Sequence, residues 1–364
     1  MASAIPRLLD FGQSPWYDNL TRTLASGGGL QKLIDEHGIR GVTSNPTIFE
    51  KAMGTGSDYD AQLRVVTKAG TSTEDAYWDL VTDDIAHAAD VLRPTFDRLD
   101  GADGFVSVEV SPELARDTAA TNRQAKELWE RLARPNVMIK IPATREGLPA
   151  ITETLAAGIN VNVTLIFSLD RYREVIDAFM SGIEQRNAAG GDLHHLASVA
   201  SFFVSRVDTE TDRRLPEGHA LRGKAAVANA KLAYEMFRQE FATSRWEQLA
   251  GRGARVQRPL WASTSTKNPA YSPTLYVDDL IGSDTVNTLA QASVDVLGQG
   301  DGNLRADSIS EDLDGARRVI AELGGAGVDF ADVTATLERE GVDSFAKSFA
   351  DALATLKKKA TSVK

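Results

Sequence analysis

Four polar residues interrupt short segments of the chain that are otherwise rich in Val and Ile. They are Lys140, Glu109, Asn162 and Thr164, and each alternates with apolar neighbours. Because successive side chains of a strand point to opposite faces, the apolar residues can pack against helices while the polar ones point to the other face. A lysine removed from water tends to lose its proton, and a neutral amine can attack a ketone or aldehyde carbonyl to form a Schiff base.

A Schiff base needs neighbouring groups that move protons and hold the substrate. Glu109 and Thr164 can hold a water that transfers protons while the imine forms and is hydrolysed. Asn45 and Asn162 can donate hydrogen bonds to sugar hydroxyls. The alternative is structural: Lys140 only pairs with Glu109 inside the fold. The alternation by itself is compatible with both interpretations.

Short segments with β propensity alternate with amphipathic helices along the chain. Strands are predicted at 41–44, 104–110, 136–141, 159–166, 198–204 and 256–263, with weaker ones at 15–17 and 285–290. This alternation is typical of βαβ units and a parallel sheet. Eight strands with helices between them favour a (β/α)₈ TIM barrel with additional N- and C-terminal helices, and a doubly wound open sheet is the alternative.

The pattern also predicts the longer helices and the domain organisation. Helices are predicted at 121–134, 171–187, 224–241, 313–323 and 344–359. No Pro/Gly/Ser-rich linker divides the chain, so we expect a single domain over residues 1–364, with extra helices within 306–360. The polar residues fall late in their strands, near the C-terminal face where barrel enzymes have their active sites.

The composition excludes several classes of protein. Lys and Arg number 40 and Asp and Glu 51 among 364 residues, so the net charge is −11. Such a surface repels nucleic acids and anionic membranes, although one basic pocket can still bind a small anion. The absence of Cys excludes disulfides, a thiolate nucleophile and Cys-based metal sites. Without a signal-peptide pattern or a stretch of about 20 apolar residues, we expect a cytoplasmic protein.

Four segments in order resemble the strand motifs of the transaldolases. They are 41–49 (GVTSNPTIF), 106–110 (VSVEV), 137–144 (VMIKIPAT) and 158–168 (GINVNVTLIFS). The resemblance extends from about residue 16 to 289 and is weakest in the C-terminal helices. It implies a class I aldolase fold and chemistry, in which a barrel lysine forms a Schiff base with the substrate.

The resemblance implies four catalytic roles. Lys140 matches the Schiff-base lysine of the family's fourth strand, and Glu109 and Thr164 match the residues that hold the catalytic water. Asp18 matches the aspartate that takes the proton from the C4 hydroxyl while the C3–C4 bond breaks. Without the resemblance, an aspartate in this position is more often a helix N-cap or a turn residue.

The resemblance also implies a set of substrate-binding residues. Asn45 and Asn162 match donors to substrate hydroxyls, Ser201 lies near the C1 hydroxyl, and Arg206 lies near the phosphate. Phe203 places a phenyl ring beside the imine, without a hydroxyl that could hold a water there. The structural alternatives are an ion pair of Arg206 with the nearby Asp208 or Glu210, and plain core packing of Phe203.

The predicted seventh strand departs from the family's commonest pattern, which is a serine followed two residues later by a phosphate-binding arginine. Here 261–268 reads WASTSTKN, so Lys267 replaces the arginine and either Ser263 or Ser265 is the serine. A lysine supplies charge but not the two-pronged geometry of a guanidinium. We therefore expect phosphate binding by these three residues, with the choice of serine open.

The resemblance implies the reaction of sedoheptulose 7-phosphate with glyceraldehyde 3-phosphate, which gives erythrose 4-phosphate and fructose 6-phosphate in the pentose phosphate pathway. The alternatives are an aldolase that releases free dihydroxyacetone from fructose 6-phosphate, and a catalytically silent sugar-phosphate binder. We expect no cofactor, and a monomer or homodimer. We also expect no metal, because the adjacent His194 and His195 should point apart with no third ligand of helical spacing nearby.

Overall fold

The Val- and Ile-rich segments form eight parallel strands that close into a barrel. The computed structural model describes residues 2–68 and 70–362. The strands are β1 (Gln13–Tyr17), β2 (Gly41–Val42), β3 (Phe105–Glu109), β4 (Val137–Pro142), β5 (Val161–Ile166), β6 (Ser198–Phe203), β7 (Arg258–Ala262) and β8 (Thr285–Leu289). Each strand pairs in parallel with the next, and β8 pairs with β1. The predicted (β/α)₈ barrel is confirmed, and the open sheet is excluded.

Helices surround the barrel and extend the chain at both ends. They are α1 (Arg7–Asp10), α2 (Arg22–Ser26), α3 (Gly29–His37), α4 (Pro46–Gly54), α5 (Asp60–Lys68), α6 (Thr73–Arg98), α7 (Thr118–Leu132), α8 (Gly147–Ala156), α9 (Leu169–Ala188), α10 (Ser205–Arg214), α11 (Ala225–Glu240), α12 (Ser244–Ala250), α13 (Leu275–Asp278), α14 (Gln291–Gly298), α15 (Leu313–Gly325) and α16 (Phe330–Ser362), with 3₁₀ turns at Pro112–Leu114 and Ser308–Ser310. No helix in the described ranges is long and apolar enough to cross a membrane.

The helix ends follow local sequence signals. The α7 helix begins after Asp117, whose carboxylate accepts a hydrogen bond from the Ala120 N–H. It ends at Ala133, which has a left-handed backbone with φ 49° just before Arg134 and Pro135. A proline disfavours helical geometry in the residue before it, so the helix cannot continue.

The two longest helices differ from the sequence prediction. The long α6 helix was not predicted, because Pro94 lies inside it and a proline usually ends a helical pattern. The predicted helix 344–359 begins instead at Phe330 and has 33 residues. Gly341 interrupts its apolar pattern and hides the first part of the helix.

The alternation within the strands separates an apolar outer layer from a polar inner layer. Register pairs Glu109 with Lys140 and Lys140 with Asn162, so the three lie side by side around the barrel. Inside, the Asn162 amide donates to Ser107 Oγ at 2.9 Å and accepts from Ser201 Oγ at 2.7 Å. One detail was wrong: Asn162 is the second residue of β5, not a late one, because the strands are staggered as a closed barrel requires.

A separate polar network fixes the N-terminal end of the barrel. Asp103, which is buried, accepts hydrogen bonds from Ser14 and from Trp16 Nε1 at 2.8 Å. Arg258, the first residue of β7, donates to Ser14 Oγ at 3.0 Å and lies 3.5 Å from the Asp103 carboxylate. Strands β1 and β7 are thus tied to the segment before β3 across the end of the barrel.

Candidate active site

A cavity of about 210 Å³ opens at the C-terminal ends of the strands. Residues of six strands or the loops directly after them line it, together with helices α4, α10 and α16. The lining residues are Asp18, Thr43, Asn45, Thr47, Ile48, Lys51, Lys140, Ser201, Phe203, Arg206, Leu260, Ala262, Ser263, Thr288 and Phe345. Seven of the twelve residues proposed from the sequence are among them.

Lys140 places its amine on the cavity wall from the fourth position of β4. The residue is buried with 5% of its surface exposed. Its Nζ donates a hydrogen bond to the Ser44 carbonyl at 3.2 Å and lies 3.9 Å from Glu109 Oε2. This distance is long for a hydrogen-bonded ion pair, so the amine is only loosely held by the carboxylate.

Glu109 lies beside Lys140 on the neighbouring strand β3 and against apolar side chains. It lines a small cavity with Tyr77, Trp78 and Phe349. Burial raises the pKa of Glu109 to about 7, an effect that the positive charges of Lys140 and Arg206 reduce. Its Oε2 is buried and accepts no hydrogen bond from the described residues. A carboxyl that titrates near neutral pH can both donate and accept a proton.

Thr164 is fully buried near the end of β5, one step beyond Asn162 on the same face. Its hydroxyl has no hydrogen-bond partner within the described part of the chain. The register between β5 and β6 shifts just after Val163, and Leu165 has a φ of 60°. Irregularities of this kind often occur next to active sites, where they redirect side chains.

Asp18 lies directly after β1 and lines the same cavity as Lys140. Its carboxylate accepts a hydrogen bond from the Thr43 hydroxyl at 2.8 Å, and its N–H donates to the Leu289 carbonyl. The following helix α2 is capped by Thr21 instead. The helix-cap alternative for Asp18 is therefore excluded.

The two asparagines proposed from the sequence have different positions. Asn45 lines the cavity and caps α4, because its Oδ1 accepts from the Ile48 N–H at 3.0 Å. Asn162 does not line the cavity. Both of its polar side-chain atoms are bonded, to Ser107 and Ser201, so it lies beneath the cavity and orients the Ser201 hydroxyl that lines it.

Arg206 reaches the cavity without an ion pair. Its guanidinium lies 5.3 Å from the centre of the Phe203 ring and within 4 Å of no carboxylate of the described residues. Asp208 instead accepts from Tyr276 and the Ala226 N–H, while Glu210 pairs with two other arginines. The predicted alternative of an ion pair with Asp208 or Glu210 is thus excluded. Burial lowers the pKa of Arg206.

Of the three candidate phosphate-binding residues in the segment after β7, only one lines the cavity. Ser263 lines the cavity with a φ of 58°, and its hydroxyl shares a hydrogen bond with Ser205 at 2.9 Å. Ser265 accepts from Lys267 Nζ at 2.7 Å, and neither residue lines the cavity. Partial burial and the nearby Arg206 lower the pKa of Lys267. Of the two serines, the geometry favours Ser263.

Several lining residues were not found from the sequence. Ile48 and Lys51 follow the predicted Asn45 at the spacing of one helix face, and Lys51 adds a third cation near Arg206 and Lys267. The signal was available, since an asparagine followed by proline at the first helical position predicts a helix start. Phe345 comes from α16, and no local signal could connect it to the barrel.

The prediction that the side chains of His194 and His195 point apart was wrong. The rings of His194 and His195 lie 4.8 Å apart, and Asp100 brings a carboxylate within 2.8 Å of His194 Nε2. These three residues could hold a metal. However, the Arg255 guanidinium lies 3.2 Å from the same Asp100 oxygen and 3.1 Å from the same His194 nitrogen. A cation would have to displace this arginine, so the cluster is an ion-pair network.

A closed (β/α)₈ barrel with polar side chains converging at the C-terminal ends of its strands defines an enzyme of the TIM-barrel class. Comparison with known proteins defines the family. The Transaldolase/Fructose-6-phosphate aldolase family model matches residues 15–356. The chain is 50% identical to a transaldolase of Saccharopolyspora erythraea over 98% of this chain and 97% of the relative. It is 51% identical to a transaldolase of Thermobifida fusca, with 97% of each covered.

A transaldolase of Mycobacterium leprae is 50% identical over 94% of this chain and 92% of its own length. Such matches over nearly the full length leave no large part of the chain unaccounted for. The protein therefore belongs to the transaldolase/fructose-6-phosphate aldolase family and is an enzyme of the transaldolase type.

Proposed function

We propose that this enzyme transfers a dihydroxyacetone unit from sedoheptulose 7-phosphate to glyceraldehyde 3-phosphate through a Schiff base on Lys140. The observation that carries the proposal is the position of the Lys140 amine, buried on the cavity wall 3.9 Å from a carboxyl whose pKa is raised to about 7. The products are erythrose 4-phosphate and fructose 6-phosphate.

In the first step, the neutral amine attacks the C2 carbonyl of the donor. A carbinolamine forms, and loss of its hydroxyl as water gives the protonated imine. Glu109 and Thr164 each have a buried oxygen without a hydrogen-bond partner among the described residues. A water between them can pass protons to and from the carbinolamine, with Glu109 as the acid and base.

In the second step, the C3–C4 bond breaks and its electron pair moves into the imine, which becomes an enamine. Asp18 takes the proton of the C4 hydroxyl, and the aldose phosphate leaves as an aldehyde. In the reverse direction C3 of the enamine attacks the acceptor aldehyde, and Asp18 returns the proton to the new hydroxyl. The bond from Thr43 holds the Asp18 carboxylate in place.

Three cations in or beside the cavity provide a site for the substrate phosphate. Arg206 and Lys51 line the cavity. Lys267 lies near both, and burial together with these two positive charges lowers its pKa. Arg206 supplies a planar donor pair for two phosphate oxygens, and the lysines add charge. Asn45, Ser201 and Ser263 are placed to bond the hydroxyl groups or the phosphate.

An aromatic side chain in the wall of the cavity that holds Lys140 favours transfer over release of free dihydroxyacetone. Phe203 lines the cavity and packs 5.1 Å from Phe167. Neither ring offers a hydroxyl to hold a water against the enamine, so protonation of C3 is disfavoured. With fructose 6-phosphate as donor, we expect turnover that depends on an added aldehyde acceptor. Equal turnover without acceptor would instead support the aldolase.

The Schiff base is tested by incubating the enzyme with fructose 6-phosphate, reducing it with borohydride and mapping the adduct by peptide mass spectrometry. We expect a three-carbon adduct on Lys140, because reduction traps the imine after C3–C4 cleavage. The matched variant Lys140→Arg should give no adduct. A folded protein without an adduct, or with one on another lysine, would contradict the assignment.

A further inference from the structure

The C-terminal helix α16 crosses the C-terminal end of the barrel in close contact with β5. At Gly341 an added Cβ atom would lie 2.9 Å from Leu165 Cδ2 and close to Phe167. A glycine inside a helix costs roughly 1 kcal/mol relative to alanine. The lack of a side chain here lets the helix lie directly on the strand end.

One helical turn after Gly341, the same face of α16 reaches the substrate cavity. Phe345 lines the cavity and is only 4% exposed. Its ring centre lies 6.0 Å from the Arg206 guanidinium, which also lies 5.3 Å from the Phe203 ring. Arg206 therefore has aromatic contacts from two separate elements, β6 and α16.

These aromatic contacts hold Arg206 in place of a carboxylate partner, which would be a disadvantage for phosphate binding. The phosphate would have to displace a carboxylate partner. Breaking that ion pair would weaken binding of the phosphate. Aromatic rings attract a guanidinium by their quadrupole and limit its conformations without competing for its N–H donors. The anionic residues that act on Arg206, among them Asp18 and Glu340 of α16, do so only at longer range.

Further along, α16 is fixed by contacts of different kinds. Ser348 shares a hydrogen bond with Thr47 of α4 at 2.8 Å, and Phe349 packs edge-on against Tyr77 at 5.0 Å. Near its end Lys359 pairs with Asp60 at 3.0 Å. The helix is thus anchored on both sides of Phe345, so the position of that ring is well defined.

We infer that Phe345 is a positioning residue for Arg206, and that α16 is thereby a part of the phosphate-binding site. The inference rests on the proposed function, since it concerns how the same cavity recognises its phosphorylated substrates. Removing the ring should weaken binding of the phosphate without affecting the bond-making step.

The test compares two acceptors that differ only in the phosphate, glyceraldehyde 3-phosphate and glyceraldehyde, with fructose 6-phosphate as the donor. In a two-step transfer, kcat/KM for the acceptor does not depend on the donor step. For Phe345→Leu we expect the ratio of kcat/KM values, phosphorylated over unphosphorylated, to fall about three- to tenfold. Phe345→Tyr keeps an aromatic ring and should retain the ratio.

Two further variants separate positioning from packing. Phe349→Leu, one turn further on the same helix and outside the substrate cavity, should lower the Tm but leave the ratio unchanged. In an Arg206→Met background, Phe345→Leu should not lower the ratio further, because the group it positions is gone.

The outcomes are distinct. An equal loss of kcat/KM for both acceptors in Phe345→Leu, or a full further loss in the Arg206→Met background, would overturn the inference and leave the proposed function intact. No transfer to either acceptor by the unmodified enzyme would instead contradict the proposed function, and the inference with it.

Discussion

Glu109 is an active-site residue whose ionisation depends strongly on its surroundings. The carboxyl is buried against Tyr77 and Trp78, and the nearest cation, Lys140, is 3.9 Å away. Desolvation outweighs attraction at this distance, so the pKa rises from 4.5 to about 7. Near neutral pH the site therefore holds both forms of the carboxyl, as a proton carrier requires.

We expect Glu109→Gln to change both the level and the pH dependence of activity. If Glu109 carries protons, kcat should fall by roughly 10²- to 10⁴-fold. The kcat profile of the unmodified enzyme should show an inflection near pH 7, and this inflection should be missing in the variant. Steady-state kinetics between about pH 5.5 and 8.5 measures both effects. An unchanged inflection would assign that titration to another group.

The same pKa shift predicts a dependence of stability on pH. Because the pKa of Glu109 is higher in the folded than in the unfolded chain, the folded state binds the proton more tightly. Its contribution to stability is complete below about pH 4.5 and is lost as the pH rises through about 7. The Tm of Glu109→Gln should therefore fall less over this interval than the Tm of the unmodified enzyme. Parallel Tm curves would contradict the assignment.

At the scale of the elements, β2 is the shortest strand and depends on a glycine. It consists of Gly41 and Val42, and the ladder continues through the Thr43 N–H, which donates to the Tyr17 carbonyl. A Cβ atom on Gly41 would lie 2.4 Å from the ring of Trp16, which is fully buried. The rigid indole cannot move away without disturbing the network at Asp103.

Gly41→Ala should therefore destabilise the protein by about 1–3 kcal/mol or more, because overpacking forces the backbone or the indole to shift. Thermal unfolding measures the effect. Gly324→Ala in α15 is the matched control, since no atom lies within 4 Å of its new Cβ and the residue is helical. The control should be neutral or slightly stabilising. Equal Tm values for the two variants would contradict the steric explanation.

At the scale of the whole molecule, the two ends of the barrel have different roles. The C-terminal end holds the substrate cavity, and the N-terminal end holds the buried network of Asp103, Ser14, Trp16 and Arg258. Burial lowers the pKa of Arg40, and the negative charge of Asp103 partly offsets this effect. The carboxylate thus compensates positive charges from separate elements.

Asp103→Ala should lower stability by about 3–5 kcal/mol, because it leaves buried or partly buried arginines without a counter-charge. Asp97→Ala breaks an exposed pair with Arg93 and should cost about 1 kcal/mol or less. At a temperature where Asp103→Ala remains folded, its KM values should match those of the unmodified enzyme. A normal Tm, or a selective change of KM, would contradict this division between the barrel ends.

The net charge of the chain is negative, whereas the charged group at the proposed phosphate site is positive. The chain has a net charge of −11, yet Lys51 and Arg206 line the cavity and Lys267 lies near both. A local group of cations can therefore bind anionic substrates although the surface as a whole repels polyanions. The single domain over residues 1–364 stays a prediction, and the packing of α16 against α4, α6 and β5 supports it.

Much of the fold and of the site could be predicted from the sequence. The period of two in the strands distinguishes the outer from the inner face, and this was sufficient to place Glu109 and Lys140 on the inner face, where the strand register puts them side by side. The weaker strand segments became β1 and β8 because barrel closure pairs them with each other. Local pattern is informative wherever a residue's surroundings come from its own strand or helix.

The sequence by itself determined the barrel, the family and most of the polar residues at the cavity, since these follow from periodicity and from ordered motifs. Only the tertiary structure decided that Arg206 has aromatic and not acidic neighbours, that Asn162 lies beneath the cavity, and that Phe345 joins the site from α16. These contacts join residues far apart in the chain, and they depend on how the strands close into a barrel and how α16 packs against it. No local pattern contains that information.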